Sequence, residues 1–221
     1  MLSVATTAFA AFVTSDPSGL CNDTCFSSGV CVLSAALAIA GDGGGVTELV
    51  PNRFGGNLTI SVWAKNDVPA IRWGRIIDFG TNSTGAGDNI LLTNFGTSGR
   101  MAYQIYHGNQ AHADNPAVTS VKPIPEGKWV HVVVVQRNAL ARMYWDMGDG
   151  NGLLEQASGT VHAPNQLTRT HNHVGKSNWP KDALYQGSIR DLAVWARDLS
   201  ESEIHSIQAI STAPASALAS A

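Results

Sequence analysis

Charge is scarce in this chain. Asp, Glu, Lys and Arg supply 14% of the 221 residues, against roughly 25% in typical soluble domains. The 14 basic residues are scattered and the formal net charge is −3, so the sequence lacks the basic stripe that binds nucleic-acid phosphates. It also lacks an apolar run of the roughly 20 residues that cross a bilayer. We therefore expect no nucleic-acid partner and no transmembrane segment.

Cysteine is scarce too, and the three that are present lie close together in the segment CNDTCFSSGVC. A zinc site would need a fourth ligand, and the nearest histidine, His107, is far along the chain. A small disulfide loop is the favoured alternative. We predict that it joins Cys21 to Cys31, because the four-residue separation of Cys21 and Cys25 would strain a bridge. One thiol is then left for a partner outside this chain.

Turn-forming residues, in contrast, are abundant, with 22 glycines and many Ser, Thr and Asn. Between the turns lie short alternating segments such as LTISVWA (58–64), which would place Leu58, Ile60, Val62 and Ala64 on one face. WVHVVVVQ (129–136) is continuously apolar, as in a strand buried on both faces. Similar strand signals occur at 75–80, 89–96, 100–108, 141–147 and 188–196. These patterns predict an all-β fold, a two-sheet antiparallel jelly-roll sandwich.

One short helix is predicted near the C-terminus, over residues 201–209. Ser200 and Glu203 have the spacing of a capping box, and Leu199 and Ile204 that of a hydrophobic staple. Ile204 and Ile207 would share an apolar face that rests on the sandwich.

The chain is predicted to comprise a leader and cysteine-containing loop (1–35), one β-sandwich domain (36–209) and a flexible tail or linker (210–221). The opening MLSVATTAFAAFV resembles the apolar part of a signal peptide but lacks its basic start, so it is equally compatible with the start of a piece of a longer protein. Glycosylation triplets occur at Asn22, Asn57 and Asn82. We expect a secreted protein or the extracellular face of a surface protein.

The order of several segments resembles the LamG-like jelly-roll domains of the concanavalin A-like lectin/glucanase superfamily. LAIAGDGGGVTELVP (37–51) is similar to the family's opening strand pair, and NLTISVWAK to its second signature. WGRIIDFG, GDNILL and GKWVHVVVV follow in the family's order, and HNHVGKSNW and LYQGSIRDLAVWARDLSESEI resemble its closing section. The resemblance covers about residues 37–208. It implies a jelly-roll fold, and it leaves open lectins, adhesion modules, glycan hydrolases and structural spacers.

Catalytic motifs are absent. Retaining glycan hydrolysis needs two carboxylates about 5 Å apart, and the expected Glu-x-Asp-x-(x)-Glu strand is missing. No nucleophile elbow, HExxH or phosphate loop occurs either. We predict no catalytic residue, and a chain that is not an enzyme.

Two kinds of binding site are considered. Asp78, Asp88 and Asn89 could meet in a hairpin and bind calcium, but they fall short of the six to eight oxygens that calcium takes. The favoured alternative is that Asp78 accepts hydrogen bonds from backbone N–H groups at a strand end and that Asp88 only forms a turn. Related LamG-like domains often hold calcium, so calcium is the one cofactor to test. We expect that no cofactor is required.

The second kind of site binds glycans. Aromatic side chains in polar, turn-rich surroundings have weaker reason to be core, and sugars stack on such rings while nearby polar groups bond the hydroxyls. The predicted glycan site therefore lies on one rim of the sandwich and comprises Trp73, Tyr106, His107, Asn178, Trp179 and Asp182. The remaining tryptophans are predicted to pack in the core: Trp63, Trp129, Trp145 and Trp195. His131, between two valines, is predicted to be a buried histidine with its hydrogen bonds satisfied.

The function that these observations favour is a non-catalytic module that recognises a glycan or an extracellular protein, with or without calcium. The alternative is a structural spacer with no ligand of its own.

Overall fold

The alternating and apolar segments form antiparallel strands in the computed structural model of the chain. It describes residues 30–33, 37–39, 47–49, 52–69 and 71–212, with side chains for 53–69 and 71–207. The strand pairs of this part of the chain are all antiparallel. Cys21 and Cys25 lie outside the described residues, as does the Cys31 side chain, so the predicted Cys21–Cys31 disulfide stays a prediction.

The first sheet has seven strands. Their spatial order is β1 (Val30–Leu33), β15 (Gly187–Trp195), β5 (Leu58–Asn66), β10 (Val130–Arg137), β11 (Leu140–Asp146) and β12 (Leu154–Thr160), with β2 (Leu37–Ile39) also paired to β15. Strand β1 belongs to the segment interpreted from sequence as leader and loop. Its backbone pairs Cys31 with Val194, so the sheet begins six residues before the predicted domain start.

The second sheet has six strands. Their order is β3 (Thr47–Leu49), β14 (His171–Val174), β6 (Arg75–Gly80), β7 (Ile90–Asn94), β8 (Arg100–Ile105) and β9 (Ala117–Pro123). A two-stranded ribbon of β4 (Asn52–Phe54) and β13 (Leu167–Arg169) completes the described strands.

The core lies between the two large sheets. The β5 side chains Ile60 and Val62 and the β10 side chain Val132 belong to the same buried cluster as Ile77 of β6 and Tyr103 of β8. As predicted, alternate residues of β5 share this inner face, because successive side chains of a strand point to opposite faces. The shared core confirms the predicted antiparallel sandwich.

Helix α1 (Glu201–Thr212) lies on the outer face of the seven-stranded sheet, and it ends three residues beyond the predicted range. The predicted cap is confirmed, since the Glu203 carboxylate accepts hydrogen bonds of 2.8 Å from both the backbone N–H and the hydroxyl of Ser200. Leu199 and Ile204 pack with Trp195 in a second buried cluster. None of the helices in the described residues is long and apolar enough to span a membrane.

Three of the four tryptophans predicted to be core are buried. Trp145 belongs to the cluster between the sheets, whereas Trp63 and Trp195 are buried on the outer face of the first sheet. The prediction for Trp129 is wrong: this residue precedes β10 and is only half-buried. Its ring lies near two cations, 4.9 Å from the Arg190 guanidinium carbon and 6.0 Å from the Lys65 ammonium.

Candidate functional site

The strand register gives the second sheet a polar outer face. Ile77, Leu92 and Tyr103 lie opposite one another on neighbouring strands and point into the core. Side chains at the intervening positions point outward, as Leu91 does opposite Gln104. Arg75 is two residues from Ile77, and the register shift between these two residues brings it to the outer face, opposite Thr93.

Turns at the strand ends add aromatic rings above this face. Trp73 precedes β6, Tyr106 follows β8, and Trp179 lies in the segment between β14 and β15. With them comes His112, from a short 3-10 helix of residues His112–Asp114. Together they enclose a groove of about 300 Å³, here called the aromatic groove, which is lined by Trp73, Arg75, Gln104, Tyr106, His112, Trp179 and Asp182.

Trp73 is held in an unusual backbone conformation. Its φ is +53°, in the left-handed region that a bulky residue rarely adopts, at a cost on the order of 1–3 kcal/mol. Its N–H donates to the Gly96 carbonyl at 3.1 Å. Its half-buried ring packs edge-on against Phe95 and His112, at centroid distances of 5.3 and 5.0 Å. Strained residues of this kind cluster at ligand sites.

Tyr106 and Trp179 form the other aromatic part of the groove. Their ring centroids are 5.2 Å apart, and the Tyr106 hydroxyl lies 2.8 Å from His112 Nδ1. Burial, reinforced by Asp78 and Asp182, raises the pKa of Tyr106 to about 12 although Arg75 opposes the change, so the hydroxyl keeps its proton at neutral pH. A Cβ at Gly85, where φ is +146°, would come 3.3 Å from the Trp179 indole nitrogen. Glycine therefore lets this turn approach Trp179 closely.

Arg75 connects the two aromatic parts. Its Nη1 donates to the Trp73 carbonyl at 2.9 Å and to the Thr93 hydroxyl at 2.7 Å. Its Nη2 donates to Asp182 Oδ2 at 2.9 Å. The guanidinium carbon lies 5.7 Å from the Trp73 ring centroid and 5.3 Å from that of Trp179. Arg75 is 4% exposed, so it fixes the positions of both tryptophans from beneath.

The Asp182 carboxylate is held by hydrogen bonds from Arg75 and Ser177. The Ser177 hydroxyl donates to Asp182 Oδ2 at 2.9 Å and accepts the Trp179 N–H at 3.0 Å. Burial raises the pKa of Asp182, while Arg75 and the Ser177 hydroxyl act in the opposite direction. The carboxylate thus links Arg75 to the turn that carries Trp179.

Asp78 lies beneath the groove and is fully buried. Its Oδ1 accepts hydrogen bonds from Asn89 Nδ2 at 2.7 Å and from Asn178 Nδ2 at 2.9 Å. Its Oδ2 accepts the Asn178 backbone N–H at 2.8 Å and lies 3.7 Å from Arg75 Nε. This carboxylate anchors the turn of Ser177, Asn178 and Trp179 to strand β6.

Four of the six predicted glycan-site residues line the groove: Trp73, Tyr106, Trp179 and Asp182. Asn178 lies underneath, 1% exposed and bonded to Asp78. His107 lies elsewhere, since its Nε2 bonds the Ala163 carbonyl at 2.7 Å and its ring stacks on His162 at 4.4 Å. The groove lies on the outer face of the second sheet and not on the rim that was predicted. Sequence reasoning missed three lining residues: Arg75, Gln104 and His112.

The predicted calcium ligands are brought together only in part. Asn89 contacts Asp78, but it does so through its amide N–H group. Asp88 has a φ of +51°, and its Oδ1 accepts a hydrogen bond from Asn165 at 2.7 Å. Within the described residues no group of three or more His, Cys, Asp or Glu side chains is arranged to hold a metal ion. The groups that surround the Asp78 carboxylate include three N–H donors, from Asn89 and Asn178, which a cation would have to displace.

A buried Ser–His pair lies on the outer face of the first sheet. Ser61 Oγ is 2.7 Å from His131 Nε2, and the two residues are 2% and 0% exposed. His131 Nδ1 has no hydrogen-bond partner in the described part of the chain, so the prediction that its bonds are satisfied is correct for one nitrogen only. Burial lowers the pKa of His131 to about 4, opposed by Asp146 and assisted by Arg190. A nucleophile needs access to substrate, and both side chains of this pair are buried.

The two glycosylation triplets in the described residues differ in their surroundings, and Asn22 lies outside those residues. Asn57 is engaged at both side-chain atoms, donating to Asp198 Oδ1 and accepting the Asn138 N–H, each at 2.8 Å. Asn82 lies in a turn and is also engaged at both side-chain atoms: its Nδ2 donates to the Ala86 carbonyl, and its Oδ1 accepts the Thr84 N–H and hydroxyl. The Asn57 contacts therefore reach residues far along the chain, whereas those of Asn82 are local.

Comparison with solved structures finds several proteins of similar fold. Domain 4 of AbnA, an extracellular arabinanase from Geobacillus stearothermophilus in complex with arabinotriose, is similar at a TM-score of 0.54 and 18% identity, over 79% of this chain and 87% of that one. The CBM40 of Ruminococcus gnavus IT-sialidase, bound to α2,3-sialyllactose, gives 0.53 and 10% identity, over 74% and 95%. Mouse laminin α1 domains LG4-5 give 0.51 and 15% identity, over 80% of this chain and 46% of that one. At these identities the likeness concerns the fold.

The class of fold that these neighbours share with this chain is an antiparallel jelly-roll sandwich. The family model Laminin_G_3, of the concanavalin A-like lectin/glucanases superfamily, matches residues 41–205, and the chain belongs to this family. The resemblance drawn from the sequence motifs is thereby confirmed. No curated protein sequence matches the chain significantly.

Proposed function

We propose that this chain is a non-catalytic glycan-binding module that works outside the cell, and that the aromatic groove is its binding surface. The observation that carries the proposal is the placement of the half-buried Trp73 and Trp179 rings beside the ion pair of the buried Arg75 and the partly exposed Asp182. Sugar-binding sites combine apolar faces with a few fixed polar groups. This groove offers both within about 300 Å³.

Each part of the groove has a role in this proposal. The indole rings of Trp73 and Trp179 provide platforms for the C–H faces of a sugar ring. The polar side chains Gln104, His112 and Asp182 line the same groove and are the proposed partners for hydroxyl groups. Similar folds in complex with arabinotriose and with α2,3-sialyllactose support a glycan as the ligand.

The groove chemistry favours binding without catalysis. Hydrolysis of a glycosidic bond needs a pair of carboxylates on either side of it. Among the described residues that line the groove, Asp182 is the one carboxylate. The nearby Asp78 is fully buried and accepts three N–H groups, so it cannot serve as the second.

Binding is expected to be weak at each site. The groove is open and has room for one or two sugar rings. A contact of this size fits dissociation constants of roughly millimolar to micromolar, which correspond to a binding free energy of about 4 to 8 kcal/mol. Weak single sites of this kind gain strength when several copies bind together.

A glycan array tests the proposal. The full chain is applied in calcium and again in EDTA, and Trp73→Ala and Trp179→Ala variants of confirmed fold are run beside it. Saturable binding to a defined glycan that both variants lose supports the proposal. Absence of binding to every glycan favours the alternative of a structural spacer or a protein ligand. Hydrolysis of any bound glycan would overturn the non-catalytic assignment.

A further inference from the structure

The positive charge in the aromatic groove is already neutralised within the protein. Arg75 is the fixed cation among the described lining residues, and its Nη2 is paired with Asp182 at 2.9 Å. On its inner side, Nε lies 3.7 Å from Asp78 Oδ2. Both Nη1 contacts go to Trp73 and Thr93. The guanidinium therefore already faces two carboxylates within the protein, which together outweigh its single positive charge.

The other charged groups near the groove do not reverse this balance. Arg72 acts on Asp182 but is exposed to solvent, as is Lys181. Salt screens exposed charges of this kind far more than it screens buried ones. The groove thus presents an acidic group, Asp182, beside a cation that is already paired.

From this arrangement we infer that the groove selects uncharged sugars and disfavours acidic ones such as sialic or uronic acids; the inference rests on the proposed glycan-binding function. A ligand carboxylate placed near Arg75 would lie next to Asp182 and Asp78, and like charges brought together at an interface are strongly unfavourable. A ligand hydroxyl instead donates to the Asp182 carboxylate, which is a strong acceptor. Discrimination then comes from repulsion of the wrong ligand as much as from attraction of the right one.

Matched sugar pairs test the inference. Immobilised lactose and 3′-sialyllactose form one pair, galactotriose and trigalacturonic acid a second, and arabinotriose is added as a further neutral sugar. The full chain is titrated on each surface at physiological salt. We expect neutral members to bind at least about tenfold more tightly than their acidic counterparts, the effect of one uncompensated like charge at an interface.

The outcomes separate the two proposals. Equal or tighter binding to the acidic member of a pair overturns the charge preference and leaves glycan binding intact. Absence of binding to every sugar in the panel and on the wider array overturns the glycan-binding function, and the preference with it.

A variant pair then assigns the cause. Asp182→Asn removes the negative charge but keeps an oxygen for the Arg75 and Ser177 hydrogen bonds, so the neutral-to-acidic ratio is expected to fall to within about threefold. The control is Glu155→Gln, at an exposed position on β12 of the other sheet, which is expected to keep the full ratio. A ratio that stays unchanged in Asp182→Asn would remove Asp182 as the discriminating group.

Discussion

Arg75 and Asp182 are 107 residues apart in the chain and form a 2.9 Å ion pair beneath the aromatic groove. Through this contact strand β6 is joined to the turn that carries Trp179. The same guanidinium holds the Trp73 carbonyl, so the two tryptophans are positioned from one buried group. Because Arg75 also lies 3.7 Å from the buried Asp78, removal of Arg75 would leave two carboxylates without their shared cation.

Replacement of Trp179 should separate binding from stability. Trp179→Ala removes a half-buried ring that packs on Tyr106, so we expect loss of most glycan binding and a stability loss of only about 1–2 kcal/mol, less than for a core aromatic. The matched control is Trp129→Ala, which truncates another half-buried tryptophan on the other sheet and should leave binding unchanged. Calorimetric titration and thermal melting measure the two effects. Global unfolding of Trp179→Ala would show that this residue is core and would remove the groove as the site.

Trp145 should behave as a core residue. It belongs to the buried cluster between the sheets and is 3% exposed. Trp145→Ala is expected to destabilise the fold by about 3 to 5 kcal/mol through loss of buried apolar contact and formation of a cavity. Urea denaturation of wild type, Trp145→Ala and Trp129→Ala gives the comparison. A loss for Trp129→Ala as large as that for Trp145→Ala would contradict the different burial of the two rings.

The buried His131 should make the fold sensitive to mild acid. Its folded-state pKa of about 4 lies below the ordinary value near 6.5, so the unfolded state binds the proton more readily. Stability is therefore complete above about pH 6.5 and declines as the pH falls toward 4, by up to about 3 kcal/mol.

Two histidine variants check this pH dependence by urea denaturation between pH 7 and pH 4. Replacement of His131 by Gln should flatten the acidic decline, although its stability at pH 7 falls because the hydrogen bond to Ser61 is altered. His205→Gln, at an exposed position on α1, should retain the decline of the wild type. An equal decline in His131→Gln and wild type would assign the acid sensitivity to other groups.

Asp78 should stabilise the fold without calcium. Its oxygens accept N–H groups from Asn89 and Asn178, and Asp78→Asn would turn an amide toward those donors. We expect a loss of roughly 2–4 kcal/mol, as for a buried charged group whose hydrogen bonds are broken. The exposed Asp149→Asn should have little effect. We also expect equal melting temperatures in millimolar calcium and in EDTA; a calcium-dependent rise seen in wild type but not in Asp78→Asn would instead establish the cation site that the sequence suggested.

Strands with strong apolar patterns could be predicted from the sequence, and weakly apolar ones could not. The segment 75–80 was located without error as β6, and the apolar run at 129–136 is β10 displaced by one residue. Strands β9 and β12 were missed. All seven residues of β12 are exposed or half-buried, and β9 ends in three exposed residues. The strand structure of β9 and β12 therefore comes from pairing with β8 and β11 and not from their own hydrophobicity.

The groove was predicted in Trp73, Tyr106, Trp179 and Asp182 and missed in Arg75, Gln104 and His112. Trp73 and Trp179 stood out because they lie in turn-rich segments. Arg75 did not, because its position in an apolar strand says nothing of a partner 107 residues away. The inclusion of His107 was avoidable: residues that follow one another in an extended chain point to opposite sides, so Tyr106 and His107 could not both face the same groove.

The left-handed backbone of Trp73 has a consequence for the rate of ligand capture. The turn is held in place before any ligand arrives, by the Gly96 carbonyl at its N–H and by Arg75 at its carbonyl. A binding surface that is already ordered loses little conformational freedom on association. Sugar binding should then show a single kinetic phase, and its observed rate constant should rise linearly with sugar concentration. No slower conformational rearrangement should follow it.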